Sequence, residues 1–214
     1  MFVDRVDAGR QLAARLKGRD YPRGLVLAIP RGGVVVGAEI ARELKLPLDV
    51  IIPRKIGAPG NPELAIGAVT QDGVPLFNED LVRRLRVTPE EKEVLVREAL
   101  EEVERRLRRY RASLPPVSWR DRTIILTDDG IATGFTILAA LRSLKRASPR
   151  EIILAVPVAP PDTLSFLRPE VDELVCLYAP EFFMAVGQFY QNFEQTTDEE
   201  VIALLEELGP KQEA

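Results

Sequence analysis

The sequence contains no histidine and only one cysteine, Cys176. Without histidine, catalytic triads that depend on it and zinc sites with histidine ligands are excluded. Any chemistry must therefore use carboxylates, lysine, arginine, backbone amides or a metal held by oxygen. A single cysteine excludes an internal disulfide and favours a reducing cytoplasm. Because its neighbours at positions 173–178 are mostly apolar, we expect Cys176 to be structural, in a buried strand.

Long apolar runs are also missing from the sequence. No segment approaches the roughly 20 apolar residues that span a bilayer. Residues 1–5 lack the basic start and apolar stretch of a signal peptide. We therefore expect no membrane association and a cytoplasmic location. The formal charge of −4 argues against a nucleic-acid role, because a protein that binds the phosphate backbone usually carries a basic face.

Apolar runs alternate with segments of helical periodicity along the chain. Strands are predicted at residues 25–29, 48–52, 123–127, 151–156 and 171–177, and helices at residues 4–17, 34–44, 134–146 and 160–167. Continuous apolar strands separated by helices predict an α/β fold, a parallel sheet with helices on both faces. Such sheets bind ligands in the loops after the carboxyl ends of their strands.

Residues 54–77 interrupt this alternation. Glycine and proline are frequent in residues 54–62, which predicts a loop. Two short strands, 64–70 and 74–77, are predicted to follow it around a tight turn. We expect one domain over residues 1–214, with this hairpin, a long helix and a C-terminal segment at 178–209 attached to the main sheet.

Two helix starts can be identified from capping signals. Thr88 and Glu91 have the spacing of a capping box, and Pro89 suits the first helical position. They predict a long helix over residues 88–113. A second capping box begins at Thr197 and predicts a final helix.

The segment after the predicted strand at residues 123–127 carries the clearest chemical signal. Asp128 and Asp129 end the strand, and a helix begins a few residues later. Free amides and the dipole at a helix start favour an anion. The segment thus offers carboxylates for hydroxyl groups beside a cradle for a phosphate, which predicts a sugar-phosphate site. The residues of the cradle are Gly130, Ile131, Ala132, Thr133, Gly134, Phe135 and Thr136.

Other interpretations fit this segment less well. The P-loop pattern Gly-x-x-x-x-Gly-Lys-Ser/Thr and the dinucleotide fingerprint Gly-x-Gly-x-x-Gly are both absent. Two acids at a strand end can hold Mg²⁺ in a phosphatase-like site, although the cradle directly after them disfavours this. A helix capped by Asp129 or Thr133, with no ligand, is the remaining alternative.

Residues 124–136 resemble the phosphoribosyl-diphosphate signature of type I phosphoribosyltransferases. The shared pattern is an apolar strand, two acids, and a small residue–Thr–Gly–x–Thr loop. Gly130 stands where an aliphatic residue is common. The resemblance implies a Rossmann-like sheet with a small hood and a flexible loop. It also implies that Asp128 and Asp129 meet the ribose hydroxyls, while residues 130–136 hold the 5-phosphate.

Residues 28–33 resemble the loop that binds the diphosphate in this family. The resemblance implies that Arg31 supplies charge and that Gly32 and Gly33 let the backbone approach the ligand. It also implies a strained or cis peptide bond near Arg31 and Gly32. The alternative is a plain glycine turn into a helix.

Residues 53–57 resemble the family's flexible loop, which closes over the diphosphate and excludes water. Arg54 and Lys55 are the candidate contacts there. The alternative is a surface hairpin with incidental charge.

Five aromatic residues lie in the C-terminal segment between positions 178 and 193. They suit either a hood over the acceptor base or a core under the final helix: Phe182, Phe183, Phe189, Tyr190 and Phe193.

The resemblance implies that a base nitrogen displaces diphosphate from C1 of 5-phosphoribosyl 1-diphosphate. Asp129, Arg31 and Lys55 would be catalytic, and Mg²⁺ would arrive with the substrate without dedicated protein ligands. No motif indicates the acceptor. A homodimer is in keeping with the family. The competing hypotheses are a regulator that binds phosphoribosyl diphosphate without turnover, and a hydrolase or phosphatase on the same scaffold.

Overall fold

The computed structural model describes residues 1–211. In chain order the elements are α1 (Arg5–Leu16), β1 (Leu25–Ala28), α2 (Gly32–Leu44), β2 (Leu48–Val50), β3 (Arg54–Ala58), β4 (Asn61–Val69), β5 (Leu76–Phe77), α3 (Glu79–Leu85), α4 (Pro89–Tyr110), β6 (Thr123–Thr127), α5 (Phe135–Arg146), β7 (Glu151–Val158), α6 (Pro161–Leu167), β8 (Glu173–Tyr178) and α7 (Asp198–Leu208). Short 3₁₀ turns lie at Arg168–Glu170 and Val186–Phe189.

The main sheet has five parallel strands in the order β2-β1-β6-β7-β8. Successive side chains of a strand point to opposite faces, and two separate cores result. Val26 and Ile125 pack with α1, α2 and α7 on one face. Leu27 and Leu126 pack with α5 and α6 on the other. The predicted α/β fold, with helices on both faces of a parallel sheet, is confirmed.

Strands β1 and β6 are neighbours, and they end at the same level. Ala28 is paired with Thr127, and the amide of Ile29 donates a hydrogen bond of 3.0 Å to the Thr127 carbonyl. The loops that follow the two strands therefore leave the same edge of the sheet side by side, as the connectivity of parallel strands requires.

The prediction of a loop at residues 54–62 was wrong except at residues 59 and 60, which form a turn. Residues 54–58 form β3, which pairs with β4 in an antiparallel three-stranded sheet completed by β5. The register shifts around Gly57, where an added Cβ would lie 2.5 Å from the Pro62 carbonyl oxygen. The glycine therefore marks a bulge inside a strand. Ile56 and Ile66 form a small core with Ala99 of α4.

Both predicted capping boxes are confirmed. The Thr88 hydroxyl accepts from the Glu91 amide, and the Glu91 carboxylate accepts from the Thr88 amide. Thr197 begins α7 in the same way. Helix α4 ends at Tyr110, before the predicted end at residue 113. Helix α3 was not predicted, and Asn78 caps it by accepting from the amide of Leu81.

Cys176 lies in β8, as expected, but it is only half-buried because β8 is an edge strand. Burial raises the pKa of its thiol, which fits a structural residue. Among the helices of residues 1–211, none is long and apolar enough to cross a membrane.

Candidate active site

The loop after β1 touches both acids of the loop after β6. A Cβ added at Gly32 would lie 2.0 Å from Asp129 Oδ2, and one added at Gly33 would lie 2.8 Å from the Cα of Asp128. Contacts this short are impossible for any other residue type without displacement of the neighbouring loop. The structure thus brings together the two segments that the sequence singled out separately. Because Gly32 and Gly33 lack side chains, they leave room for Asp129 and Asp128.

Asp128 is held at the end of β6 by its own local hydrogen bond. Its Oδ1 accepts from the amide of Asp129 over 2.8 Å. Desolvation and the adjacent charge of Asp129 raise the pKa of Asp128 well above its usual range. A carboxyl group of this kind exchanges a proton more readily near neutral pH than an ordinary aspartate does.

Asp129 forms an ion pair that the sequence did not predict. Its Oδ2 accepts from Nε of Arg5 over 2.8 Å, and the two side chains are only 16% and 11% exposed. Nη1 of Arg5 donates to the Glu194 carbonyl, and its guanidinium lies 3.8 Å from the ring centre of Phe193. The hydroxyl of Tyr190 donates to the Asp129 carbonyl over 2.5 Å.

Arg5 is the residue beside the two acids that sequence reasoning missed. It stands at the first position of α1, where the helix dipole favours an acid and disfavours a cation. That mismatch was the one available signal, and it is a weak one. Nothing in the spacing of the sequence links position 5 to position 129.

The predicted phosphate cradle, residues 130–136, leads into helix α5. Helix α5 begins after Gly134, which has a φ of 78° and provides no side-chain cap. The alternative of a helix capped by Asp129 or Thr133 is therefore wrong, and the first amides of α5 are left for another acceptor. The Thr163 hydroxyl fixes the cradle by donating to the Ala132 carbonyl over 2.7 Å. Ala132 and Thr133 are exposed, while Thr136 is half-buried.

Gly130 is explained by the C-terminal segment. A Cβ at this position would lie 2.5 Å from Cγ1 of Val186 and 3.0 Å from Cγ1 of Val158. Val186 therefore packs where an aliphatic side chain is common in the family signature. The C-terminal segment and the predicted cradle are thus in direct contact at Val186 and Gly130.

This contact leads to a prediction. Gly130→Ala should destabilise the protein by about 1–3 kcal/mol, because the new methyl group overlaps Val186. Val186→Ala in the same chain should restore most of that loss. Urea unfolding of the two single variants and the double variant measures the coupling. Equal losses from Gly130→Ala with and without Val186→Ala would contradict the contact.

Arg31 lies in the loop after β1 and contacts the C-terminal helix. The peptide bond between Pro30 and Arg31 is cis, one residue before the predicted position. Nη1 of Arg31 lies 3.8 Å from Oδ1 of Asp198, the first residue of α7. Asp198 also accepts from the Tyr110 hydroxyl and from Arg109 of α4. Arg31 is thus near the acids through its backbone, while its side chain is directed toward Asp198.

Arg54 and Lys55 lie at the start of β3 and are exposed. They line a groove between the small sheet and α4, together with Leu95, Glu98 and Glu102. No salt bridge to either residue is found within residues 1–211. Their predicted role at the diphosphate stays a prediction.

The aromatic residues of the C-terminal segment lie in different environments. Phe189 and Tyr190 are buried with Phe2 and Val158, so they form core next to α1 and β7 instead of under the final helix. Phe182 is 88% exposed. The rings of Phe193 and Tyr190 are tilted against each other with their centres 5.0 Å apart, and they lie beside Arg5 and Asp129.

Comparisons with known proteins agree with this geometry. Residues 4–193 match the family model described as "Phosphoribosyl transferase domain". The crystal structure of TT1426 from Thermus thermophilus is 39% identical, with a TM-score of 0.84 over 98% of this chain and 99% of that one. A hypothetical protein from Neisseria gonorrhoeae with bound ppGpp has a TM-score of 0.52 at 13% identity, over 95% of this chain and 92% of that one, and shares the fold alone.

A curated relative is longer than this chain. "Putative phosphoribosyl transferase Rv0571c" of Mycobacterium tuberculosis is 43% identical over 206 residues, which are 96% of this chain and 46% of that protein. The chain thus spans about half the length of the curated relatives it matches. With the family model matched over residues 4–193, the chain belongs to the phosphoribosyl transferase domain family.

Proposed function

We propose that the chain is a phosphoribosyltransferase that moves the phosphoribosyl group of 5-phosphoribosyl 1-diphosphate to a nitrogen of an acceptor base. One observation carries this proposal. The carboxylate of Asp129 lies within 2.0 Å of the position that a Cβ of Gly32 would take, so the acids and the basic glycine loop form a single site. The uncapped start of α5 lies directly beyond the acids.

Each part of the ligand has a counterpart at this edge of the sheet. The carboxylates of Asp128 and Asp129 suit the ribose hydroxyls, because charge-assisted hydrogen bonds from hydroxyl groups are strong. The first amides of α5 and the hydroxyls of Thr133 and Thr136 suit the 5-phosphate. The backbone of Gly32 and Gly33 suits the diphosphate, and Arg31 stands in the same loop.

Mg²⁺ is expected with the diphosphate. Carboxylate oxygens are ligands that Mg²⁺ accepts, but Arg5 already engages one oxygen of Asp129. Residues 1–211 hold no cluster of three or more His, Cys, Asp or Glu side chains placed to bind a metal. The proposed ion would be held mainly by the substrate and would neutralise part of the charge of the leaving diphosphate.

The proposed reaction forms one bond and breaks one bond at C1 of the ribose. The acceptor nitrogen attacks C1 while the C1–oxygen bond breaks, and the diphosphate leaves with the electron pair. The protein contributes positioning and charge stabilisation of the cationic transition state. The proton of the acceptor nitrogen goes to the acid pair. Asp129 was the predicted acceptor, but the raised pKa of Asp128 suits this task better than the ion-paired Asp129.

A regulator that binds phosphoribosyl diphosphate without turnover is the second candidate. The contact of Arg31 with Asp198 favours it, because this side chain is directed to α7. The position of Arg54 and Lys55 in the groove beside α4 points the same way. Turnover requires at least Arg31 to move from Asp198 to the diphosphate.

Two measurements test these proposals. Thermal unfolding with phosphoribosyl diphosphate and Mg²⁺ should show a raised Tm, since a ligand that binds only the folded state stabilises it. No stabilisation at roughly millimolar ligand would contradict both candidates. Diphosphate release is then measured with a panel of nitrogenous bases. Release that requires a base supports the transferase, binding without release supports the regulator, and release without a base indicates a hydrolase.

A further inference from the structure

We propose that Arg5 is a positioning residue that holds Asp129 in the orientation needed for the ribose and neutralises its charge. This role rests on the proposed binding of phosphoribosyl diphosphate. Arg5 comes from α1, near the amino terminus of the chain and far in sequence from the other site residues.

Four groups enclose the guanidinium of Arg5. Its Nε donates to Asp129 Oδ2, and its Nη1 donates to the Glu194 carbonyl over 2.6 Å. The ring of Phe193 covers one face at 3.8 Å, a cation–π distance. A Cβ on Gly32 would lie 2.5 Å from Nε, so the diphosphate loop closes the remaining side. A cation enclosed in this way has few alternative positions.

The ion pair gives the two carboxylate oxygens of Asp129 different partners. Oδ2 is bound to Arg5. The hydrogen bonds found for Asp129 within residues 1–211 reach Oδ2 and the carbonyl oxygen. Oδ1 is therefore the oxygen that a ribose hydroxyl would contact, beside the neighbouring carboxyl group of Asp128. Fixing one oxygen sets the direction of the other, because the carboxylate is planar and cannot turn without breaking its bond to Nε. Arg5 would therefore lower the ordering cost of ligand binding.

Charge gives a second reason for Arg5. Two adjacent carboxylates would repel a ligand that carries a monophosphate and a diphosphate. The pair of Arg5 and Asp129 is nearly buried, and salt screens such a pair little. Arg5 cancels the charge of Asp129 where the anion must approach, and the hydrogen-bond acceptor of Asp129 is kept.

The test replaces Arg5 with methionine and measures the binding of two ligands by calorimetry. Phosphoribosyl diphosphate with Mg²⁺ uses the ribose contacts, whereas inorganic diphosphate with Mg²⁺ does not. We expect Arg5→Met to weaken phosphoribosyl diphosphate by at least about tenfold. Inorganic diphosphate should be weakened clearly less, by under about threefold, because it loses only the cancelled charge of Asp129 and none of the ribose contacts. If Arg5→Met only reduced the folded fraction, the apparent affinities for both ligands would fall by the same factor.

The matched control is Arg10→Met. Arg10 lies on the same helix and pairs with Glu39 over 3.0 Å, but its side chain is 72% exposed. We expect this variant to bind both ligands as the parent does, because exposed ion pairs contribute little. Equal losses in Arg5→Met and Arg10→Met would overturn the role of Arg5.

A double-mutant cycle with Asp129→Asn tests whether Arg5 acts through Asp129. Adding Arg5→Met to Asp129→Asn should weaken phosphoribosyl diphosphate little further. Full additivity would overturn the mechanism. If Arg5→Met does not fold, Arg5→Lys carries the test. Lysine keeps the charge without the fixed geometry of Nε, so at least about threefold weakening of phosphoribosyl diphosphate alone is expected.

The outcomes also separate this role from the proposed function. If the parent chain does not bind phosphoribosyl diphosphate, the proposed function fails, and the role of Arg5 fails with it. If the parent binds this ligand and both Arg5→Met and Arg5→Lys bind it equally well, only the role of Arg5 is overturned.

Discussion

Replacing Asp128 with asparagine is expected to weaken the binding of phosphoribosyl diphosphate by at least about 100-fold, or about 3 kcal/mol, while the fold remains intact. The carboxylate of Asp128 ends β6 beside Gly33, where a Cβ would lie 3.0 Å from Asp128 Oδ1. An amide keeps the shape but loses the charge that strengthens bonds from ribose hydroxyls. The loss should be seen as a near-absence of ligand-induced increase in Tm.

The same variant should gain stability without ligand, and this gain should depend on pH. The pKa of Asp128 is raised in the folded state by desolvation and by Asp129. A carboxyl group with a raised pKa stabilises the fold only while it is protonated. Its contribution is complete below the pKa of the unfolded chain and is lost as the pH rises through the folded-state pKa. Asp128→Asn should therefore become more stable relative to the parent between about pH 5 and about pH 8.

Urea unfolding at both pH values measures this difference. Asp121→Asn is the matched control, since Asp121 is exposed near the opposite, amino-terminal end of β6. Its stability relative to the parent should not follow the same trend, and its ligand-induced increase in Tm should be that of the parent. A constant difference between Asp128→Asn and the parent would contradict the raised pKa. Retained ligand stabilisation would contradict the site.

The sequence was sufficient to predict the main sheet and the chemical character of its edge. The apolar runs of β1 and β6 are fully buried, and burial on both faces of the sheet is what makes these short strands continuous apolar runs in the sequence. Asp128, Asp129 and the cradle follow directly from the end of such a strand. Local signals therefore predicted those features whose cause is also local.

Features caused by contacts between distant segments were not predictable. Position 5 meets position 129 because α1 packs beside the sheet, and no local pattern encodes that distance. Gly130 was recognised as unusual, but its cause, Val186, lies far along the chain in the C-terminal segment. The sequence around Gly57 predicts a loop instead of a bulged strand, because a glycine is common in both. The reason for glycine at position 32 was also predicted only in part. The sequence indicates close approach to a ligand, whereas the atom nearest to the position of its Cβ belongs to Asp129 of another loop.

Gly32→Ala should abolish the binding of phosphoribosyl diphosphate and cost about 1–3 kcal/mol of stability. The φ of Gly32 lies outside the left-handed region, so alanine suits the backbone. The effect comes from the methyl group, which would stand 2.0 Å from Asp129 Oδ2 and 2.5 Å from Arg5 Nε. Both side chains must move, and an ion pair that is nearly buried must be distorted. Asp129 would then be turned from the ribose.

Gly24→Ala is the control that separates packing from function. Gly24 precedes β1 at the opposite end of the strand, and its Cβ would meet the Leu46 side chain at 2.8 Å and Cβ of Tyr21 at 2.9 Å. This variant should also lose stability, but its ligand-induced increase in Tm should equal that of the parent. Thermal unfolding of both variants with and without phosphoribosyl diphosphate and Mg²⁺ makes the comparison. If Gly32→Ala keeps the parent's ligand-induced increase, then the contact between the two loops does not position Asp129, because alanine cannot be placed there while Asp129 and Arg5 stay where they are.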